Sequence, residues 1–214
     1  MKKSLFALAA IAVLTVPQFA SAQSAGSLVV RARAVHLASS NTNSSDLKAT
    51  LTSVVGAPAE ASINDKWLPE VDFSYFFTSN IAAELILTYP QSQDLLVNGT
   101  KIGSFKHLPP TLTAQYHFTG LGALRPYVGA GVNYTNISDV QFDSSLASYN
   151  LNLKRNSYGL AAQIGADYNL SGGWLLNVDV KKIQIQTDVT SKGTKVGTFK
   201  VDPLLVGVGV GYKF

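Results

Sequence analysis

Eight segments of the chain alternate residue by residue between an apolar face and a small or polar one. That two-residue period commits them to β-strands. They fall at about 27–37, 66–77, 81–90, 107–118, 125–135, 157–169, 173–187 and 199–214. In the second, Pro69, Val71, Phe73, Tyr75 and Phe77 oppose Glu70, Asp72 and Ser74. In the last, Leu204, Val206, Val208, Val210, Tyr212 and Phe214 oppose Gly207, Gly209, Gly211 and Lys213. No comparable segment shows a helical period, so the expected class is all-β. The length of 214 residues suits one domain.

Two closed barrels fit this pattern. A soluble carrier would turn the apolar face inward around a ligand; a transmembrane barrel would turn it toward lipid. Three features favour the membrane version. The other face is mostly Gly, Ala, Ser, Thr and Gln, and charged residues are only 14% of the chain, against about 25% in ordinary globular proteins. Aromatic residues gather at the strand ends, with Phe77, Tyr116, Phe118, Tyr168, Trp174, Tyr212 and Phe214 at one rim and Tyr89, Tyr134 and Tyr158 at the other. The connections also alternate in length. Long segments at about 38–65, 91–106, 136–156 and 188–198 are separated by short ones such as Thr78-Ser79-Asn80 and Leu170-Ser171-Gly172. Extended outside loops and tight periplasmic turns are the outer-membrane pattern. The expectation is an eight-stranded antiparallel transmembrane β-barrel of up-and-down connection, in contact with the lipid bilayer and lipopolysaccharide. The segment 38–65, rich in Ser, Thr, Asn and Ala, reads as a flexible outside loop.

The N-terminus carries an export signal. Lys2 and Lys3 precede an apolar stretch from Leu5 to Val16, and Ala20-Ser21-Ala22 supplies a small-x-small cleavage site. Residues 1–22 are expected to be removed, leaving 23–214 as the barrel. Losing two lysines lowers the formal charge from +4 to +2, so the basicity belongs largely to the signal and no nucleic-acid partner is expected. The absence of Cys excludes a disulfide scaffold, a Cys-ligated metal and a Cys nucleophile.

Particular strings are more specific than the alternation. HLPPTLTAQYHF (107–118), RPYVGAGVNY (125–134), SYGLAAQIGADYNL (157–170), GWLLNVDV (173–180) and DPLLVGVGVGYKF (202–214) resemble the outer membrane protein W family. The resemblance covers nearly all of the chain after the signal and is weakest over 38–65. It implies a Gram-negative outer-membrane barrel with a narrow, partly apolar lumen that binds or passes small hydrophobic molecules. It also implies that the loops can serve as colicin or phage receptors. The terminal Tyr212-Lys213-Phe214 resembles the aromatic signal read by the barrel assembly machinery, with Phe214 as its key residue.

Strand parity assigns the lumen. Arg31, Arg33, Lys181 and Lys213 face inward against Glu70, Asp72, Glu84, Asp167 and Asp179. Charges so nearly balanced in a narrow barrel are expected to pair, as a salt-bridged plug that fixes register or as a gated polar pore. Inward glycines at 129, 131, 159, 165, 207, 209 and 211 are expected to make room for long side chains from the opposite wall. In 173–187 the outward set Trp174, Leu176, Val178 and Val180 turns Lys181, Ile183 and Ile185 inward. Either a bulge near Lys181 resets the register, or the outer lumen is apolar. In the second case Leu68, Ile86, Ile183, Ile185 and Leu205 would form an apolar mouth above the plug, suited to a small hydrophobic ligand.

Prolines collect at the outer rim: Pro69, Pro90, Pro109, Pro110 and Pro203. Each removes a ladder donor. They punctuate strand ends, or, at Pro90, Pro109 and Pro110, they loosen the wall into a lateral gate for a solute leaving sideways. No catalytic constellation, metal-ligand spacing or cofactor motif is present, so no enzyme activity, metal or cofactor is expected. A structural or receptor barrel without transport is the alternative function, and a barrel lipase or acyltransferase stands third.

Overall fold

The computed structural model describes residues 24–214, and the expected signal at 1–22 lies outside them. In chain order the strands are β1 (Leu28–Ala38), β2 (Thr42–Asn43), β3 (Ala61–Ile63), β4 (Lys66–Phe76), β5 (Ile81–Leu87), β6 (Gln91–Val97), β7 (Thr100–Leu108) and β8 (Thr111–His117). They continue as β9 (Leu124–Phe142), β10 (Leu151–Leu153), β11 (Asn156–Asn169), β12 (Trp174–Ile183), β13 (Gln186–Ser191), β14 (Thr194–Lys200) and β15 (Leu204–Lys213). One helix, α1 (Ser45–Val55), lies between β2 and β3.

Eight strands close on themselves in the order β11-β12-β15-β1-β4-β5-β8-β9, with β9 pairing back to β11. Every pairing is antiparallel. The barrel leaves no open edge and satisfies its backbone internally, as a strand structure in hydrocarbon must. Its short connections lie at one end, and the long ones at the other build a second storey. There β9 runs on past the barrel and pairs with β7, followed by β6 and β3. A separate sheet, β10-β13-β14-β2, completes the extension.

Alternate side chains sort as the period-2 pattern requires. Val71, Leu112, Val132, Ile164, Val178 and Val208 are exposed on the outside, while Arg31, Asp72, Glu84 and Asp167 are fully buried inside. Aromatic side chains stack edge to face at the rims. Tyr116 meets Phe118, and Trp174, Tyr212 and Phe214 form a run, at the short-turn end. Tyr134 meets Tyr158 in a tilted pair at the other, where Trp67, absent from the sequence-based girdle, meets His36 edge-on at 5.2 Å.

Two expectations are corrected. The segment read as a flexible loop contains α1, a helix that periodicity did not reveal because its face is short and rich in Ser and Thr. Ser44 caps it by accepting a hydrogen bond from Leu47 N, and Leu47 is buried against Gly197. No larger residue fits there, since a Cβ on Gly197 would lie 2.6 Å from Leu47 N. The inward glycines, in turn, accommodate mainly side chains of adjacent strands rather than of the opposite wall. Arg31, Arg33 and Val35 stand directly across from Gly211, Gly209 and Gly207, and Tyr127 lies over Gly165. Within an eight-stranded barrel the interior is so narrow that a long side chain must lean over its neighbour before it reaches across.

Candidate functional site

The lumen is built in layers. The lowest is ionic, and seven of the eight barrel strands contribute to it. From β1, Arg31 grips Asp167 of β11 with two hydrogen bonds, Nε to Oδ1 at 3.0 Å and Nη2 to Oδ2 at 2.6 Å. Its Nη1 donates to Ser74 Oγ at 2.6 Å and Glu84 Oε1 at 3.2 Å. Arg33 reaches Glu70 at 3.2 Å, Glu84 at 3.1 Å, Asp72 at 3.1 Å and Asp179 at 3.7 Å. Lys181 completes the set on Glu70 at 2.5 Å and Asp179 at 3.1 Å.

Neutral donors fill most of the remaining valences. Gln115 and Gln163 donate to Glu84 Oε2 at 2.7 and 2.9 Å. Tyr127 donates to Asp179 at 2.8 Å, and Asn177 to Asp167 Oδ1 at 2.7 Å. The eighth strand, β15, supplies the glycines that make room for the arginines. Three cations and five carboxylates thus cross the lumen wall to wall, and their side chains are at most 4% exposed. Asp72 is the least satisfied, since its Oδ1 accepts no hydrogen bond. Lys213, assigned to the plug by parity, lies at the short-turn end of β15 opposite Val29 and is only partly buried.

Above the plug the lumen becomes apolar. Strand β12 keeps its alternation through Lys181 and Lys182 to Ile183 without a register shift, so no bulge intervenes there. Leu68, Ile86, Ile183, Ile185 and Leu205 come together with Leu37 and Pro203 around a cavity of about 20 Å³. This layer is packed rather than open. A second cavity, about 10 Å³, follows outward between Ile63, Phe105, Ile137, Ile185 and Val201. The large space lies further out still. A vestibule of about 570 Å³ is enclosed by α1, the β6–β7 and β13–β14 hairpins and the outer end of β9, and lined by Leu51, Val54, Leu95, Phe142, Tyr149 and Phe199 among others. An open mouth was expected one storey lower, because residues 91–106 and 38–65 read as loops rather than as walls.

The prolines mark a break in the wall. Pairing of β5 with β8 ends at Ile86↔Thr111, and pairing of β6 with β7 begins at Gln91↔His107. Between them Leu87 to Pro90 face Leu108 to Pro110 without a ladder pair. The freed carbonyls of Pro109 and Pro110 accept from Asn133 Nδ2 at 3.2 Å, and Pro110 O also accepts from Tyr134 N at 3.1 Å. Leu87, Thr88 and Pro109 line the 20 Å³ cavity, so it abuts this break.

Tyr127 and Asn177 belong to the plug yet were not singled out from sequence. Their parity with Gly129 and with Asp179 carries the signal, but neither side chain bears a charge that would mark it as part of an ionic layer. Gln91, Gln93 and His107 line or flank the apolar layer and were hidden in, or beside, a segment read as loop.

A closed eight-stranded barrel with a lipid-facing apolar exterior, aromatic rims and a plugged lumen defines a small outer-membrane barrel protein. The chain belongs to the OmpW family, whose model matches residues 24–214. It is 35% identical to outer membrane protein W of Vibrio cholerae, with each chain covered in full. It is 30% identical to the dibenzothiophene metabolism operon protein PahQ of Pseudomonas aeruginosa, covering 75% of this chain and 77% of that one. Among solved structures, OprG of Pseudomonas aeruginosa superimposes with a TM-score of 0.75 at 28% identity, covering 89% of this chain and 97% of that one.

Proposed function

We propose that the barrel admits small hydrophobic molecules from the cell exterior and releases them sideways into the membrane. The observation that carries this reading is the sequence of layers in one lumen. An apolar vestibule of about 570 Å³ leads through apolar constrictions to a cavity beside the Pro109–Pro110 break, directly above an ionic barrier. An uncharged solute gains by leaving water for the vestibule, at roughly 25 cal/mol per Å² of apolar surface buried. It meets a prohibitive desolvated charge network below, and the unpaired stretch of wall offers the remaining exit. A relative carries a name that places it in dibenzothiophene metabolism, and dibenzothiophene is an uncharged apolar solute of the right kind. Phe214, exposed at the end of the closing strand with its N–H donated to Leu28 O at 2.8 Å, suits a role as assembly signal.

The test is entry of naphthalene into vesicles whose outer leaflet is lipopolysaccharide, with and without the full chain. Faster entry with the protein is expected. Equal entry would leave a structural or receptor barrel as the better reading.

A further inference from the structure

The packed layer above the plug is not uniformly apolar, and its asymmetry points to a chemical class of solute. Leu37, Leu68, Ile183 and Leu205, from β1, β4, β12 and β15, make one wall of the inner cavity. The wall facing them carries Gln91, His107 and Thr111, from β6, β7 and β8, and Gln93 and Asn133 are bonded to this set, Gln93 on His107 and Asn133 on Thr111; all five are buried. Each amide nitrogen on that side has a partner. Gln91 Nε2 donates to Tyr89 O at 3.0 Å, Asn133 Nδ2 to Thr111 Oγ1 at 2.8 Å, and Gln93 Nε2 faces His107 Nε2 at 3.4 Å. Acceptors are left over. Gln91 Oε1 and Gln93 Oε1 are buried and accept no hydrogen bond. Gln91 lines the inner cavity, and His107 borders both small cavities.

From this we infer that the inner cavity is a selectivity site for apolar molecules bearing one hydrogen-bond donor, such as phenols and alcohols, in preference to hydrocarbons. The inference rests on the passage proposed above and names the solutes favoured in it. The cavity of about 20 Å³ holds a group the size of a water or a hydroxyl, while the body of the solute has to part the packed side chains outward of it, where the void is about 10 Å³. A hydroxyl there donates to an acceptor that is otherwise unpaired, and burial makes such a bond count. A carboxylate meets Glu70, which lines the same cavity. An ammonium would have to compete for Glu70 with Lys181, which is held on it at 2.5 Å.

The experiment compares 1-naphthol with naphthalene, using the full chain in vesicles with a lipopolysaccharide outer leaflet. The protein-dependent part of entry is expected to favour naphthol by roughly tenfold. Gln91→Leu and Gln91→Met, each checked for folding by the mobility of the unboiled barrel on a gel, should reduce the ratio of naphthol to naphthalene entry severalfold. Protein-dependent naphthalene entry without a naphthol preference would overturn this inference alone, as would a preference that survives in both variants. No protein-dependent entry of either compound would overturn the passage and the inference together.

Discussion

Arg33 shows how much of this barrel hangs on single side chains. It touches Glu70, Asp72, Glu84 and Asp179, four carboxylates that water cannot reach. Arg33→Met removes their shared partner and leaves buried like charges facing one another. The expected loss is about 3–5 kcal/mol, read from the urea midpoint of the barrel in vesicles; a change below about 1 kcal/mol would show that the network organises the lumen without stabilising it. His107 behaves differently. It lies in the outer extension, where burial, helped by the charge of Lys66, lowers its pKa from 6.5 to about 4. Between those values the unfolded chain binds a proton that the folded one does not, so stability rises with pH across that window. Acidification from 6.5 should weaken the β6–β7 region progressively, levelling off near pH 4 at a loss of about 3 kcal/mol. Hydrogen exchange of β6 and β7 amides at pH 4.5 and 7 measures it, and His107→Gln should abolish the difference. Parity alone places Arg33 and its carboxylates inside, but it could not say which acid each cation holds, because such pairing depends on side chains leaning across strands.

At the scale of elements, the seam between β1 and β15 is where closure is decided. Arg33 faces Gly209 there, and a Cβ on Gly209 would overlap the carbonyl of Ala32 and lie 2.8 Å from Arg33 Cα. Gly209→Val should cost about 3 kcal/mol or more and block formation of the heat-modifiable, compact form on gels. Gly120 gives the contrast. It sits in the β8–β9 turn with φ +87° and open space around it, so Gly120→Ala should cost only about 1–2 kcal/mol and still yield the compact form. If both variants assembled equally well, close strand approach would not be what these glycines serve. Helix α1 marks where reading by period stops. Its 11 residues hold only one fully buried side chain, Leu47, and what seats it is Gly197, about 150 positions away. A contact of that kind leaves no local periodicity to find.

Over the whole molecule, the layers set what can pass and by which route. The plug should suppress ionic current, so a planar bilayer containing the wild-type barrel is expected to show no steady conductance of porin size; such a conductance would sink the plug as a barrier. The wall break should set the sideways rate. Pro109→Val together with Pro110→Val restores two backbone donors in this stretch, one toward Leu87 to Pro90 and one toward β9, and naphthalene entry should slow severalfold. Unchanged entry would move the exit elsewhere. The vestibule emerges only at this scale, because its walls come from four connections that look unstructured when each is read alone.

What the sequence determined by itself was the exterior and the sign of the interior. A period of two needs no partner to be legible, and lipid outside with charge inside follows from which face each residue takes. The five aliphatic residues of the apolar layer were legible for the same reason. Only the tertiary structure decided where open space remains, which acceptors go unpaired and where the wall is unstitched. Those depend on closure of the sheet and on hairpins folding back above it, which bring together residues such as Leu47 and Gly197, or Gln91 and Leu205, that no short stretch of chain relates.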